Sequence, residues 1–174
     1  MSDDSKKIGK IMVWLTWLIV LYFLFLLFSK VLDHQKNPNQ NIDSITTENG
    51  VVEIVLEANR GGQYVANGFI NKQPVTFLVD TGASDVAIPI KIAERLQLTL
   101  GNQVRYHTAN GTTIGYQTHL DEVRLGDITI ENVRGGITPN MQGNFVLLGM
   151  SFLKKLEFTQ RGKTLTVRQY RGNL

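Results

Sequence analysis

Residues 11–28 read IMVWLTWLIVLYFLFLLF, eighteen positions without a charge and with Thr16 as the one plainly polar side chain. As a helix at ~1.5 Å rise per residue, this run is ~27 Å long, close to the hydrocarbon thickness of a bilayer. A core helix rarely stays apolar on every face over such a length, because one face normally meets water. A cleaved signal peptide is the sharper rival, but its apolar core is usually ~7–15 residues and ends in a small-x-small site. Phe28-Ser29-Lys30-Val31 offers no such site. The run therefore reads as a retained transmembrane anchor over residues 11–29, after an N-terminal tail of residues 1–10. Lys6, Lys7 and Lys10 precede it while Lys30 and Lys36 follow, a bias that puts the N-terminus in the cytoplasm and the rest of the chain across the membrane.

The anchor explains the composition. Residues 1–36 hold five Lys against three Asp, which leaves 13 bases against 12 acids in the remainder. The pI of 9.2 is thus no sign of a nucleic-acid surface, which needs basic side chains clustered on the folded domain. The absence of cysteine excludes disulfides, thiol catalysis and cysteine-ligated zinc. A chain of 174 residues suits one domain plus an appendage. Residues 33–49, DHQKNPNQNIDSITTEN, are polar and lack a periodic apolar face, and read as a flexible linker with a reach of ~20–25 Å.

From Gly50 the pattern becomes short Val-, Ile-, Thr- and Phe-rich runs punctuated by Gly and Asn. Strands are expected at 51–56, 63–70, 75–79, 103–108, 113–125, 127–134, 145–148 and 164–168. Turns fall at Arg60-Gly61-Gly62, Asn71-Lys72-Gln73-Pro74, Gly126-Asp127 and Arg161-Gly162-Lys163. One short helix starts at Pro89 and sets Ile92, Ala93 and Leu96 at helical spacing, and a half-turn fits 151–155. The domain, residues 50–170 before a tail of 171–174, is all-β, a sandwich or barrel with one or two short helices.

The chemistry-bearing string is Phe77-Leu78-Val79-Asp80-Thr81-Gly82-Ala83-Ser84: an apolar strand that delivers a lone carboxylate into a Thr-Gly-small turn. By itself this is also how many strands end. A second element, Val146-Leu147-Leu148-Gly149 followed by Met150-Ser151-Phe152-Leu153, lies about 65 residues on. Between them is an alternating hairpin, 103–120, with Ala109-Asn110-Gly111 at its tip.

This order of DTGA after an apolar strand, short helix, glycine-tipped hairpin and LLG before a short helix resembles the retropepsin-like (clan AA) aspartic proteases. DTGAS and LLGMSFL are similar to the bacterial membrane-anchored branch. The resemblance covers about residues 50–170, the size of one subunit. It implies a closed barrel forming half of an acid protease, and a single-pass protein of the bacterial inner membrane with its domain in the periplasm. Asp80 would be catalytic. Thr81, Gly82, Ala83 and Ser84 would form the active-site loop, with Thr81 bracing two such loops and Gly82 allowing their close approach. Ala109, Asn110 and Gly111 would tip the flap, and Leu147, Leu148 and Gly149 would support the loop. Two departures stand out: viral members commonly carry an acidic residue where Ser84 stands, and an Arg where Met150 stands.

Hydrolysis of a peptide bond by carboxylates needs one ionised group to take a proton from water and one protonated group to polarise the carbonyl. Two close carboxylates share one proton and titrate as a pair. The chain holds one Asp-Thr-Gly and no second Asp-(Ser/Thr)-Gly, so the expected enzyme is a homodimer in which each copy supplies Asp80. Its partners are a second copy, a polypeptide substrate and the membrane through residues 11–29, with no nucleic acid, cofactor or metal. The competing reading is a non-catalytic dimerisation or peptide-binding module of the same fold, in which an intact Asp-Thr-Gly has no use. His34, His107 and His119 have no metal-site spacing. Gly149-Met150-Ser151 lacks the final glycine of a nucleophile elbow. Asn110-Gly111-Thr112 is explained by a turn.

Overall fold

The apolar run lies inside one helix, α1 (Asp3–Lys36). The computed structural model describes residues 3–108 and 111–170, and the chain divides into two units between Lys36 and Asn37. Over Lys10–Lys36 the helix is long and apolar enough to cross a membrane, a property that a signal sequence shares. All side chains from Ile11 to Phe28 are exposed. Two hydroxyls within this helix are satisfied locally: Thr16 Oγ1 donates to the Met12 carbonyl and Ser29 Oγ to that of Leu26, both at 2.9 Å. Such bonds to the carbonyl three or four residues back are the local option for Ser and Thr inside a helix.

The second unit is mostly β. Its strands are β1 (Ser44–Thr46), β2 (Val52–Glu57), β3 (Val65–Ile70), β4 (Gln73–Val79), β5 (Val86–Pro89) and β6 (Gln103–Thr108). They continue with β7 (Gly111–Leu125), β8 (Ile128–Thr138), β9 (Val146–Leu148), β10 (Glu157–Arg161) and β11 (Thr164–Gln169). Two short helices, α2 (Ile90–Arg95) and α3 (Met150–Leu153), follow β5 and β9. Four strands form a sheet in the order β1-β2-β11-β10, and seven form a second in the order β3-β4-β9-β5-β8-β7-β6. Pairing of Phe69 with Arg124 and Ile70 with Val123 joins β3 back to β7. This closes six strands into a barrel and leaves β6 outside as an edge.

Period-two alternation decides the registers, since a one-residue slip would turn every core side chain outward. β2 buries Val52, Ile54 and Leu56, and its neighbour β11 buries Leu165 and Val167. Phe77, Ile88, Leu120, Ile130, Ile137, Leu148 and Phe152 are completely buried in the shared core. The β3–β4 hairpin turns on Asn71 (φ 47°) and Lys72 (φ 66°), the paired left-handed geometry of a two-residue turn that matches strand twist. Pro89, with φ −58°, precedes α2 and ends β5, as its fixed ring torsion favours.

Three elements differ from the sequence expectation. The stretch 33–49 is not a free linker: 33–36 continue α1, and Asn37 onward belongs to the β unit. Asn39 is buried. Its amide donates to the carbonyls of Glu57 (2.9 Å) and Val65 (2.7 Å), and its Oδ1 accepts from the Glu57 N–H at 2.7 Å. Ser44–Thr46 then pairs with Val52–Ile54. An asparagine that substitutes for a strand's donor and acceptor leaves no apolar period to read, which is why the segment looked unstructured. The folded unit therefore starts near residue 37 and not at 50. β5 and β10 are further strands that the sequence reading did not name.

Candidate active site

The apolar strand β4 ends at Val79, immediately before Asp80, and β9 runs parallel beside it, pairing Phe77 with Val146, Leu78 with Leu147 and Val79 with Leu148. The two motif strings, separated by some 65 residues in sequence, are thus laid side by side. The Asp80 N–H continues the ladder by donating to the Leu148 carbonyl at 3.2 Å. Beyond it the chain turns sharply: the Ala83 N–H donates to the Asp80 carbonyl at 3.2 Å, and the Gly82 N–H donates to Asp80 Oδ1 at 2.9 Å. The carboxylate is half-buried, while Thr81, Gly82 and Ser84 are exposed.

The LLG element holds this turn from below. A Cβ on Gly149 would fall 2.1 Å from the Asp85 carbonyl oxygen and 2.6 Å from that of Ala83, so a side chain there is sterically excluded. Met150 N–H donates to the Ala83 carbonyl (2.8 Å) and Ser151 N–H to that of Ser84 (3.0 Å). The buried Ser151 hydroxyl accepts from the Val86 N–H (3.1 Å) and donates to the Arg134 carbonyl (2.7 Å). Leu148 supports the loop through its carbonyl from within the core, and the half-buried Leu147 pairs with Leu78 and Ala87. At Gly82 a Cβ would meet only Asp80 Oδ1, at 3.2 Å, so within one chain its freedom serves the carboxylate's own turn.

The hairpin of β6 and β7 is paired up to Thr108 opposite Gly111. Gly111 has φ +106°, a conformation that suits glycine, and Ala109 and Asn110 lie outside the described residues. Ile114 is 45% exposed on this hairpin. Among the described residues no cluster of three metal-ligating side chains converges.

A family model described as "gag-polyprotein putative aspartyl protease" matches residues 66–155. A crystal structure of a retropepsin-like aspartic protease from Rickettsia conorii superposes with a TM-score of 0.60 at 29% identity, covering 74% of this chain and 96% of that one. An uncharacterized protein from the cobV 5' region of a Sinorhizobium species is 34% identical over 119 residues, 67% of this chain and 51% of its own length. The chain belongs to the retropepsin-like aspartic proteases. An uncharacterized protein of Rickettsia prowazekii is 32% identical over 126 residues, 69% of this chain and 52% of its own. The chain thus spans about half the length of the curated relatives it matches.

Within this retropepsin-like fold the sequence reading missed a second carboxylate, Asp85. It is buried, and its Oδ1 accepts from Arg134 Nε at 2.6 Å. Its Oδ2 lies 3.4 Å from the Tyr106 hydroxyl. The paired Asp85 holds the Arg134 guanidinium above its ordinary range. Burial, followed by the Asp85 charge and hydrogen bond, raises the Tyr106 phenol above its ordinary 10.0. Asp85 is therefore engaged in an ion pair, whereas Asp80 has no basic partner among the described residues. The one sequence signal for Asp85 was its place directly after DTGAS; nothing local points to Tyr106 or Arg134, which lie 21 and 49 residues away.

Proposed function

We propose that this retropepsin-like chain is a membrane-anchored aspartic endopeptidase that works as a homodimer. The observation that carries the reading is Asp80. It sits just past the end of β4, held by β9 and the Gly149 contact, with a partly exposed carboxylate and, among the described residues, no hydrogen bond or ion pair to another acid of the chain. A second copy related by a two-fold axis would supply the missing acid as the partner's Asp80.

Of the pair, the ionised carboxylate takes a proton from water as the water oxygen attacks the peptide carbonyl carbon. The protonated one hydrogen-bonds the carbonyl oxygen and stabilises its developing charge. Collapse of the tetrahedral intermediate breaks the C–N bond, with the proton delivered to the departing amine. Thr81 suits the bracing role: it is exposed, and among the described residues its hydroxyl has no hydrogen bond within the chain.

The β10 edge supports dimerisation. All five residues of Glu157–Arg161 are exposed, and among the described residues β10 pairs only with β11. Bare edges of this kind are normally covered. Antiparallel pairing of two β10 strands about Thr159 would set Glu157, already bonded to Arg168 and Tyr170 of its own chain, opposite Arg161 of the partner subunit, with opposite charges facing each other.

The anchor reading rests on α1, whose length and uniform apolarity suit a single span with the protease domain on the periplasmic side. Extended segments of membrane-proximal or secreted polypeptides are then the natural substrates, and tethering would raise the local concentration of subunits. The reading is tested by comparing wild type and Asp80→Asn, full-length in detergent or vesicles, on a peptide library. Cleavage by the wild type alone is expected; equal cleavage by both contradicts it.

A further inference from the structure

We propose that Tyr106 is a positioning residue of the proteolytic site, clamping the first strand of the flap hairpin onto the active-site loop through Asp85. The inference rests on the protease reading above for its effect on substrate, but the clamp itself stands on geometry.

Among the described residues β6 is the last strand of its sheet and pairs only with β7. Among its residues with described side chains, Gln103 and Arg105 are exposed and Val104 and Tyr106 are half-buried. Tyr106 reaches past β7. Its ring lies over two buried glycines on neighbouring strands: a Cβ on Gly115 would fall 2.9 Å from Tyr106 Cε2, and one on Gly136 would fall 2.5 Å from the hydroxyl oxygen. Any side chain at either position would expel the ring, so β7 and β8 together form a slot that admits it.

The slot aims the hydroxyl at Asp85 Oδ2, 3.4 Å away. Asp85 cannot turn away, because Arg134 holds its other oxygen at 2.6 Å. Its backbone is equally fixed, with its carbonyl oxygen pressed against Gly149. The line of contact thus runs from the flap strand through Tyr106 to Asp85, and along five residues of backbone to Asp80.

A hydroxyl contact as long as 3.4 Å contributes little to global stability, since hydrogen bonds weaken steeply beyond their usual length. Its consequence is local: without it, the edge strand is free to lift from the loop. Closure of such a hairpin over an extended peptide is a step that binding must drive, so loosening the clamp raises the cost of ordering the hairpin around substrate.

The test is Tyr106→Phe in the full-length protein, which keeps the ring and removes the hydroxyl. Two readouts are taken with the thermal midpoint as control: amide hydrogen exchange over 103–108 and 111–116, and the separate values of kcat and KM on a peptide cleaved by the wild type. The clamp predicts exchange at least several-fold faster in those segments, KM raised about three- to ten-fold with kcat within two-fold, and a Tm within about 2 °C of wild type. Asp85→Ala, which removes the acceptor together with the Arg134 ion pair, should speed exchange in those segments at least as much, and adding Tyr106→Phe to it should add little there, because the Tyr106–Asp85 contact is already gone. Unchanged exchange in Tyr106→Phe overturns the clamp. Faster exchange with unchanged KM overturns the positioning role and leaves a structural contact. If the wild type shows no Asp80-dependent cleavage, it is the protease reading that has failed, and the exchange data still decide for or against the clamp.

Discussion

The Asp80 loop and the β6–β7 hairpin are built on opposite plans. The loop is short and fixed on several sides by backbone and buried hydroxyl groups: Asp80 on Leu148, Ala83 and Ser84 on α3, and Val86 on the Ser151 hydroxyl. Its position is set by buried atoms that have nowhere else to go. The hairpin is long, carries exposed side chains such as Ile114, and adjoins the rest of the fold through β8 at its base and through Tyr106. A catalytic carboxylate must be held within a fraction of an ångström, whereas a cover must open for a polymer to enter. The contrast teaches that in this chain rigidity is concentrated where proton transfer would occur.

Gly149→Ala is the most direct way to break that contrast. Its Cβ would overlap backbone oxygens that lie 2.1 and 2.6 Å away, and backbone cannot rotate aside as a side chain can. A loss above ~4 kcal/mol is expected, of the size that unfolds a marginal domain; the checks are soluble yield and thermal melting. Asn39→Ala comes next. It orphans the Glu57 N–H and two carbonyls, for a cost of about 3 kcal/mol and a Tm lower by roughly 10 °C. A domain expressed from residue 50 should be weakened in the same way, because it lacks the segment that joins β2 to β3.

Ser151→Ala leaves the buried Val86 N–H unsatisfied beside the loop. About 2 kcal/mol of destabilisation is expected by denaturant titration, with reduced cleavage because the backbone just after Asp85 loosens. On the hairpin side, Ile114→Ala should change stability by less than ~0.5 kcal/mol.

Tyr106 sharpens the comparison through pH. Its phenol is raised by burial and by Asp85, so the protonated form is favoured in the folded state. Its contribution is fully present below the ordinary value of 10.0 and is lost as pH rises through the folded value. The stability difference between wild type and Tyr106→Phe should therefore shrink at strongly alkaline pH and stay constant from pH 6 to 9, as measured by paired denaturant titrations.

The parts of this protein that were legible in the sequence are those with a local period or a local string. Runs rich in Val, Ile, Thr and Phe revealed β2 and β4, alternation revealed the β6–β7 hairpin, Pro89 marked the start of α2, and the DTGAS and LLG strings are laid side by side by the parallel β4–β9 pairing. What escaped has its cause in distance or in mimicry. Asn39 replaces a strand's hydrogen bonds with a side chain and leaves no apolar trace. β10 has no buried residue and therefore no alternation. The link of Tyr106, Asp85 and Arg134 joins β6, the residue just before β5 and β8, far apart in sequence and carrying no mark of one another, and it becomes visible only once β5, β8, β7 and β6 lie side by side in one sheet.

The central claim is that Asp80 is a catalytic carboxylate shared between two copies. It is tested most directly by mixing full-length wild type with Asp80→Asn at rising ratios and measuring cleavage of one peptide substrate at fixed wild-type concentration. If the copies exchange and each active pair needs two Asp80 side chains, activity falls toward zero as mixed dimers replace wild-type ones. Activity that stays constant however much Asp80→Asn protein is added, with mixed dimers demonstrated by cross-linking, would contradict the account.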